Sequence, residues 1–429
     1  MARNAGDFRT ATHPGFARFA LAVLALLVCF WGIWTSGRAG ISRQLANRVK
    51  QGTAPPVLAN EAIRLSPSDP KAYYARARAL SDTGQIAEAV KDFESAIALR
   101  PEDHVSWLRL GYDRARLGDQ EGALGAYQEA VRLAPYYAQP RWYFGNLLLR
   151  MGRRDEAFRE LRQAVTSNPK LFVEAANRAW VAYNGDADAV ERALQPQAPT
   201  ARLELARFFV EHANATKALE IFRSTRAVST IDGIALLAAL IAAKRFTEAK
   251  EVWASGRKTS NEQPSAAITD GSFESDIRLD EPGFGWRIAG NLPGVRISLE
   301  ANNPHTGSHS LRVDWNGNPD PATPVISQIV LVEPKRRYRL HFVARTQDIL
   351  TIGLPIVTVA DVSSNNGSVL GQSATVPRGT SGWQDYRVEF ATAETTSAVL
   401  IAIRRQDCNG GPCSIFGNFC VDDFSLEKL

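Results

Sequence analysis

Along the first third of the chain, small and apolar positions return in a fixed phase of 34 residues. Gly84, Gly118 and Gly152 keep it, as do Ala89, Ala123 and Ala157, then Ala96, Ala130 and Ala164, then Pro101, Pro135 and Pro169. A large apolar residue follows the first Ala of each unit by four positions, at Phe93, Tyr127 and Leu161. The pattern predicts stacked pairs of antiparallel helices. Alanines let the two helices approach, glycine takes the turn between them, and proline ends the second helix because it lacks an amide donor. Ala62 and Pro67 lie 34 residues before Ala96 and Pro101, so 60–67 reads as the second helix of an earlier, truncated unit. After Pro169 the phase degrades. Ala218 with Phe222 and Ala249 with Trp253 repeat the small-then-aromatic spacing 31 residues apart, which predicts irregular helical hairpins over 171–253.

Beyond Gly256 the pattern changes. The polar run Lys258-Thr259-Ser260-Asn261-Glu262-Gln263-Pro264 marks a linker over 256–267, and helical periodicity ends there. From Ile268 onward, short alternating runs predict strands at 310–315, 325–332, 338–345, 355–362, 383–390, 398–404 and 419–426. Asn316-Gly317 and Asn366-Gly367 supply turn signals in the gaps. About 160 residues of such strands fit one β-sandwich.

At the amino end, sixteen uncharged residues from Phe19 to Trp34 are flanked by Arg3, Arg9 and Arg18 on one side and Arg38, Arg43 and Arg48 on the other. With Thr35, Ser36 and Gly37 the run approaches the ~20 residues needed to cross a bilayer. We read it as an uncleaved single-pass anchor carrying interfacial Phe30, Trp31 and Trp34; the rival is a signal peptide cut near Gly37-Arg38-Ala39. The balanced arginines leave the orientation open, and cysteine helps to choose it. Cys408 and Cys413 flank Asn-Gly-Gly-Pro, a sequence suited to a short disulfide loop, with buried thiols or half of a metal site as alternatives. A disulfide places the soluble part outside the cytoplasm, so the expected location is the inner (cytoplasmic) membrane with the soluble domains beyond it.

Two resemblances follow from these residues. The register, with Trp107-x-x-Leu110-Gly111 opening one unit, resembles the tetratricopeptide repeat. That likeness implies a concave groove for protein partners, lined by the fifth, ninth and thirteenth residues of each first helix. These are Tyr74, Arg78 and Asp82, then Leu108, Tyr112 and Arg116, then Trp142, Asn146 and Arg150. A basic, aromatic groove suits an acidic or extended peptide. The last 160 or so residues resemble the carbohydrate-binding modules of families four and nine. The likeness rests on Asp270-Gly271-Ser272-Phe273-Glu274, Trp286, 306–313, 338–342, Gly382-Trp383 and 421–426. It implies a jelly roll, a possible saccharide ligand, and a structural calcium ion held by Glu274 and Asp422 or Asp423 with backbone oxygens of 306–309. Trp286, Trp315 and Trp383 are the candidate sugar platforms, although Trp383 beside Tyr386, and Trp315 in phase with Leu311 and Val313, also read as core positions.

Composition narrows the function. A net charge of +5 over 429 residues, without a Lys/Arg-dense stripe, argues against nucleic acid. HExxH, GxSxG, phosphate-loop and dinucleotide motifs are missing from the sequence, and His305 with His309 reads as a solvated turn. Asp422 and Asp423, adjacent on a strand, should point to opposite faces and so cannot flank one glycosidic bond. The expected protein is a multidomain α + β, non-enzymatic envelope adaptor: a tail 1–18, an anchor 19–37, a helical array 42–255, a linker 256–267 and a sandwich 268–429. Its partners are other proteins and a possible polysaccharide, in the assembly or export of a surface glycan; the alternative is a purely protein scaffold.

Overall fold

The computed structural model describes residues 14–52, 55, 57–226, 230–256, 267–275, 282–290, 292–408 and 413–429. The chain forms two compact units, Met1–Gln195 and Pro196–Leu429. The expected linker 256–267 falls, apart from its two end residues, outside the described residues.

The first unit is helical: α1 (Pro14–Lys50), α2 (Leu58–Leu65), α3 (Pro70–Asp82), α4 (Ile86–Leu99), α5 (His104–Arg116), α6 (Gln120–Leu133), α7 (Ala138–Arg150), α8 (Arg154–Ser167), a 3₁₀ turn Pro169–Leu171, α9 (Phe172–Ala182) and α10 (Ala187–Leu194). The in-phase residues do what their chemistry requires. Gly84, Gly118 and Gly152 take φ of +85°, +85° and +77° in the turns, a region that penalises a Cβ. The alanines in phase are buried, as are Phe93, Tyr127 and Leu161. Each of these large side chains lies against a small residue 16 positions earlier, Ala77, Gly111 or Gly145. A Cβ at Gly111 would lie 2.7 Å from Tyr127 Cδ1, and one at Gly145 2.8 Å from Leu161 Cγ. Asp69 and Asp119 cap α3 and α6, accepting from the backbone N–H groups of Lys71 and Gly122.

α1 is a single helix of 37 residues, about 55 Å long at 1.5 Å per residue. It is long and apolar enough to cross a membrane, and Phe19, Leu24, Phe30, Trp31 and Trp34 are exposed along it. Its last three turns have another task. Ser42, Ala46 and Val49, at helical spacing, are buried. Ala46 and Val49 pack on Ala59, Ala62, Ala72 and Ala75, and Ser42 Oγ donates to the Ala62 carbonyl at 2.8 Å. The apolar helix therefore runs unbroken into the first helix of the array, as partner of α2.

The second unit opens with two helical hairpins, α11 (Pro199–Glu211) with α12 (Ala215–Ser224) and α13 (Thr230–Ala242) with α14 (Phe246–Ser255). Among the described residues ten strands follow: β1 (Arg287–Ile288), β2 (Val295–Glu300), β3 (Ser310–Gly317), β4 (Ile326–Leu331), β5 (Arg337–Leu350), β6 (Pro355–Asp361), β7 (Val369–Gln372), β8 (Gly379–Ala391), β9 (Ala398–Arg405) and β10 (Ile415–Lys428). They form two antiparallel sheets, β1-β4-β9-β6-β7 and β2-β3-β10-β5-β8. Alternate residues of both sheets, among them Leu311, Val313, Phe342, Val359, Ile401, Phe419 and Val421, meet in one core, so this is a β-sandwich. Each of the seven expected strands is present. The two-residue β1, β2 and the short β7 were not anticipated. Asn316-Gly317 is not a turn: both residues extend β3, paired with Phe416 and Ile415. Asn366-Gly367 does sit at a turn, with φ of +54° at the glycine.

Cys408 and Cys413 are disulfide-bonded with Cα atoms 5.6 Å apart, and Cys420 is a buried free thiol. Beside the disulfide the buried Arg405 donates to the carbonyls of Pro319, Gly353 and Cys413 and to the Thr351 hydroxyl. That one guanidinium joins three loops at this end of the sandwich.

Candidate functional site

The first helices of successive repeats place their solvent-facing side chains around a hollow of about 470 Å³. Tyr112 and Arg116 come from α5, Trp142, Tyr143, Asn146 and Arg150 from α7, and Arg178 from α9, with Tyr127 of α6 at the back. Spacings of four residues put Tyr112 and Arg116, and Trp142, Asn146 and Arg150, on one face of their helices. The walls are ordered by ring contacts: Tyr112 meets Tyr143 edge-on at 5.8 Å, and Tyr143 stacks on Tyr127 at 6.2 Å. Arg116 lies over Tyr112 at 5.6 Å and Arg178 over Trp142 at 6.0 Å. Asn146 accepts from Arg178 Nε at 2.7 Å and donates to the Trp142 carbonyl at 2.7 Å, which fixes the guanidinium at the rim. Behind Arg116, Asp113 is buried and bonded to Ser81 Oγ, and burial pushes its carboxyl above the ordinary range. Three arginines and four aromatic rings thus face one hollow. Such a surface complements an extended chain carrying carboxylates.

Of the residues expected to line a groove, Tyr112, Arg116, Trp142, Asn146 and Arg150 come together here. Tyr74 and Arg78 do not. Tyr74 packs edge-on against Phe93 at 5.7 Å under Lys50, and Arg78 faces Asp82 at 3.8 Å. Arg178 was not foreseen, because it is the seventh residue of α9, outside the fifth, ninth and thirteenth positions expected to line a groove, although α9 starts 34 residues after α7.

In the sandwich, Trp286 and Trp315 are corrected from sugar platforms to core residues, 5% and 3% exposed. Trp286 packs on Phe273 and Phe424 and donates Nε1–H to the Asp270 carbonyl. Trp383 is the reverse case. Tyr386, Val388 and Phe390 point inward on β8, so an odd-numbered residue faces outward. Its ring is half-exposed, edge-on to His305 at 5.7 Å and under Arg345 at 5.3 Å.

The residues expected to hold calcium clamp the turn at 305–309. Asp422 is fully buried, accepting from the backbone N–H groups of His305 at 3.0 Å and Thr306 at 3.3 Å. Glu274 accepts from those of Ser308 at 2.8 Å and His309 at 3.1 Å. Asp423 takes the His305 ring and the Thr306 hydroxyl, both at 2.5 Å. Adjacent carboxylates reach one turn because the pairing shifts between Asp422 and Ser425 and Asp423 has φ of +52°, which breaks the alternation expected of a strand. Calcium is held by oxygen ligands. The contacts made by Glu274 and Asp422 are to N–H donors, and among the described residues no three His, Cys, Asp or Glu side chains converge on one point. As they stand, these carboxylates form a hydrogen-bonded clamp on the turn. His305 is correspondingly a paired residue and not a freely solvated one.

Residues 74–138 match the tetratricopeptide repeat family. The segment is similar to DnaJ homolog subfamily C member 3 of Homo sapiens, 28% identical over 86 residues, or 20% of this chain and 17% of that protein. The peroxisomal targeting signal receptor of Candida albicans is 33% identical over 77 residues, 18% of this chain and 13% of the receptor. The co-chaperone sgt12 of Aspergillus fumigatus is 34% identical over 74 residues, 17% of this chain and 22% of its own. The chain thus spans less than a quarter of the length of these curated relatives. Among solved structures, MamA from Desulfovibrio magneticus RS-1 is 18% identical with a TM-score of 0.30, over 44% of this chain and 93% of MamA. YrrB is 20% identical with a TM-score of 0.28, over 51% of this chain and 90% of YrrB. The repeat explains why the hollow forms where it does. Each unit contributes one first helix to the concave side, and a protein-interaction surface follows from stacking them.

Proposed function

We propose that this protein is a non-catalytic adaptor, tethered to a membrane by α1, that holds an acidic, extended segment of a partner protein in the groove of its repeats. The carrying observation is the hollow itself, where Arg116, Arg150 and Arg178 stand among Tyr112, Trp142 and Tyr143. The relatives named above include a co-chaperone and a targeting-signal receptor, which supports a binding role for the shared segment. The finer reading places the protein in the inner membrane of a bacterial envelope, soluble domains outside the cytoplasm as the disulfide suggests, with the sandwich engaging a polysaccharide during its assembly or export. Burial of Trp286 and Trp315 favours a second reading, a protein scaffold whose sandwich binds no sugar.

The test is fluorescence-polarisation screening of acidic dodecapeptides containing one aromatic residue against the detergent-solubilised full chain. Binding that weakens at least about tenfold in the Arg150→Ala, Arg178→Ala double variant, and falls with added salt, supports the groove. Equal binding by wild type and double variant removes it.

A further inference from the structure

On the outward face of the sheet β2-β3-β10-β5-β8, the carboxylates are already matched. Arg312 bridges Glu300 and Asp314, each at 2.8 Å; His341 pairs with Asp385 at 2.7 Å; and His305 pairs with Asp423. Arg345 is different. It stands on β5 next to β10 and β8, its Nη2 donates to the Asn302 carbonyl at 3.1 Å, and its Nε has no hydrogen-bond partner although shielded from solvent. Among the described residues it makes no ion pair. Its guanidinium lies over Trp383, whose Nε1–H reaches the Asn303 carbonyl at 3.3 Å and whose edge meets His305. The loop 301–309 between β2 and β3 therefore holds both side chains in place from one side. One row along the sheet, Asn418 Nδ2 donates to Gln347 Oε1 at 3.3 Å, exposing two amides to solvent.

We propose that this patch, centred on Trp383 and Arg345, binds an acidic saccharide: a pyranose whose carboxylate pairs with Arg345 and whose C–H face lies on Trp383. The proposal rests on the reading that the sandwich engages a glycan, and it names the place and the class of sugar. A half-exposed indole offers a surface for ring C–H groups. The positioned guanidinium makes no ion pair among the described residues, and Glu300, whose charge it feels, is already bonded to Arg312; a ligand carboxylate would supply the direct partner, which the planar fork matches. The amides of Asn418 and Gln347 supply both donors and acceptors for sugar hydroxyls. A neutral glycan would give Arg345 no direct ion pair, so the charge on the sugar carries the selectivity.

The experiment is native affinity electrophoresis of the detergent-solubilised full chain in gels containing polygalacturonate, with neutral galactan and polyaspartate as parallel matrices. Retardation by polygalacturonate alone, weakened about tenfold or more by Trp383→Ala and by Arg345→Gln, is the expected result, and Arg345→Lys should keep part of it. Each variant is first checked for an unchanged thermal transition, and Trp383→Phe replaces Trp383→Ala if that one unfolds. Polygalacturonate retardation that survives Trp383→Ala and Arg345→Gln, equal retardation by galactan, or equal retardation by polyaspartate overturns the assignment while leaving glycan binding elsewhere on the sandwich open. No retardation of the folded wild type by either polysaccharide overturns the assignment and the glycan reading together.

Discussion

The pairing of Gly145 with Leu161 makes a sharp test of how the repeat is packed. In Gly145→Ala the new methyl would meet Leu161 Cγ at 2.8 Å, Leu161 Cδ2 at 2.9 Å and the Ala157 carbonyl at 3.1 Å. Overpacking of this kind costs ~1–3 kcal/mol, while replacing glycine inside α7 returns ~1 kcal/mol of helix propensity. The single variant should therefore lie roughly 0–2 kcal/mol below wild type. Leu161→Ala removes a fully buried side chain and should cost ~2–5 kcal/mol. It also removes both side-chain atoms that obstruct the new methyl. In the Leu161→Ala background Gly145→Ala should then be neutral or stabilising by up to ~1 kcal/mol, a favourable coupling of ~1–3 kcal/mol.

Gly152→Ala provides the control. Nothing lies within 4 Å of its Cβ position, so its cost comes from the positive φ alone, ~1–2 kcal/mol, and should add to Leu161→Ala without coupling. Hydrogen exchange of α7 and α8 in the solubilised full chain reads these local opening energies directly. Additive behaviour of Gly145→Ala with Leu161→Ala, within ~0.5 kcal/mol, would refute the argument that this contact sets the interhelical approach.

Three further outcomes are expected. The Asp113 carboxyl is raised above its ordinary 3.8 chiefly by burial, so its ionisation disfavours the folded state as pH climbs above 3.8; Asp113→Asn should flatten that part of the pH profile of thermal stability, and an unchanged profile would exclude Asp113 as its source. Opening the Cys408–Cys413 bond by Cys→Ser at both positions should lower stability by ~2 kcal/mol, the chain-entropy value for so short a loop, with loss confined to the sandwich in hydrogen exchange. Because Glu274 and Asp422 are met by N–H donors, exchanging EDTA for millimolar calcium should leave the sandwich transition where it is, whereas Glu274→Gln should lower it; a clear rise on adding calcium would restore the cation reading.

What the sequence made legible follows from how many residues report on each feature. Four in-phase positions per unit fixed the helical hairpins, because each position answers to a separate steric demand and chance seldom satisfies all four together. Most of the seven expected strands were legible from alternation for the same reason, while β6, buried along its whole length, was legible from its run of β-branched residues. Features resting on one or two residues were not. Trp383 and Tyr386 look like neighbours in the sequence, yet an odd separation on a strand sends them to opposite sides of the sheet. Asp422 and Asp423 show the converse: a shift in pairing and one positive φ brought together two carboxylates that alternation would separate. Arg178 entered the groove from the seventh position of α9, a helix that starts in phase with α7, and the repeat spacing alone does not mark that position as groove-lining.

The continuity of α1 gives these surfaces a common consequence. If residues 19–37 occupy the bilayer, the first residue buried in the array, Ser42, follows about 8 Å along the same helix, with no flexible joint between them. A jointed tether would let the groove sample many orientations, and partner affinity would then depend on its effective concentration alone. A continuous helix fixes the groove's direction relative to the bilayer instead. Inserting three alanines after Ala39 would lengthen the helix by about 4.5 Å and rotate the array by about 300°, leaving groove chemistry untouched. Peptide binding in detergent should survive that insertion; recruitment of a membrane-bound partner should not. Equal recruitment by both forms would show that the helix bends at the bilayer surface and that the apparent rigidity has no functional role.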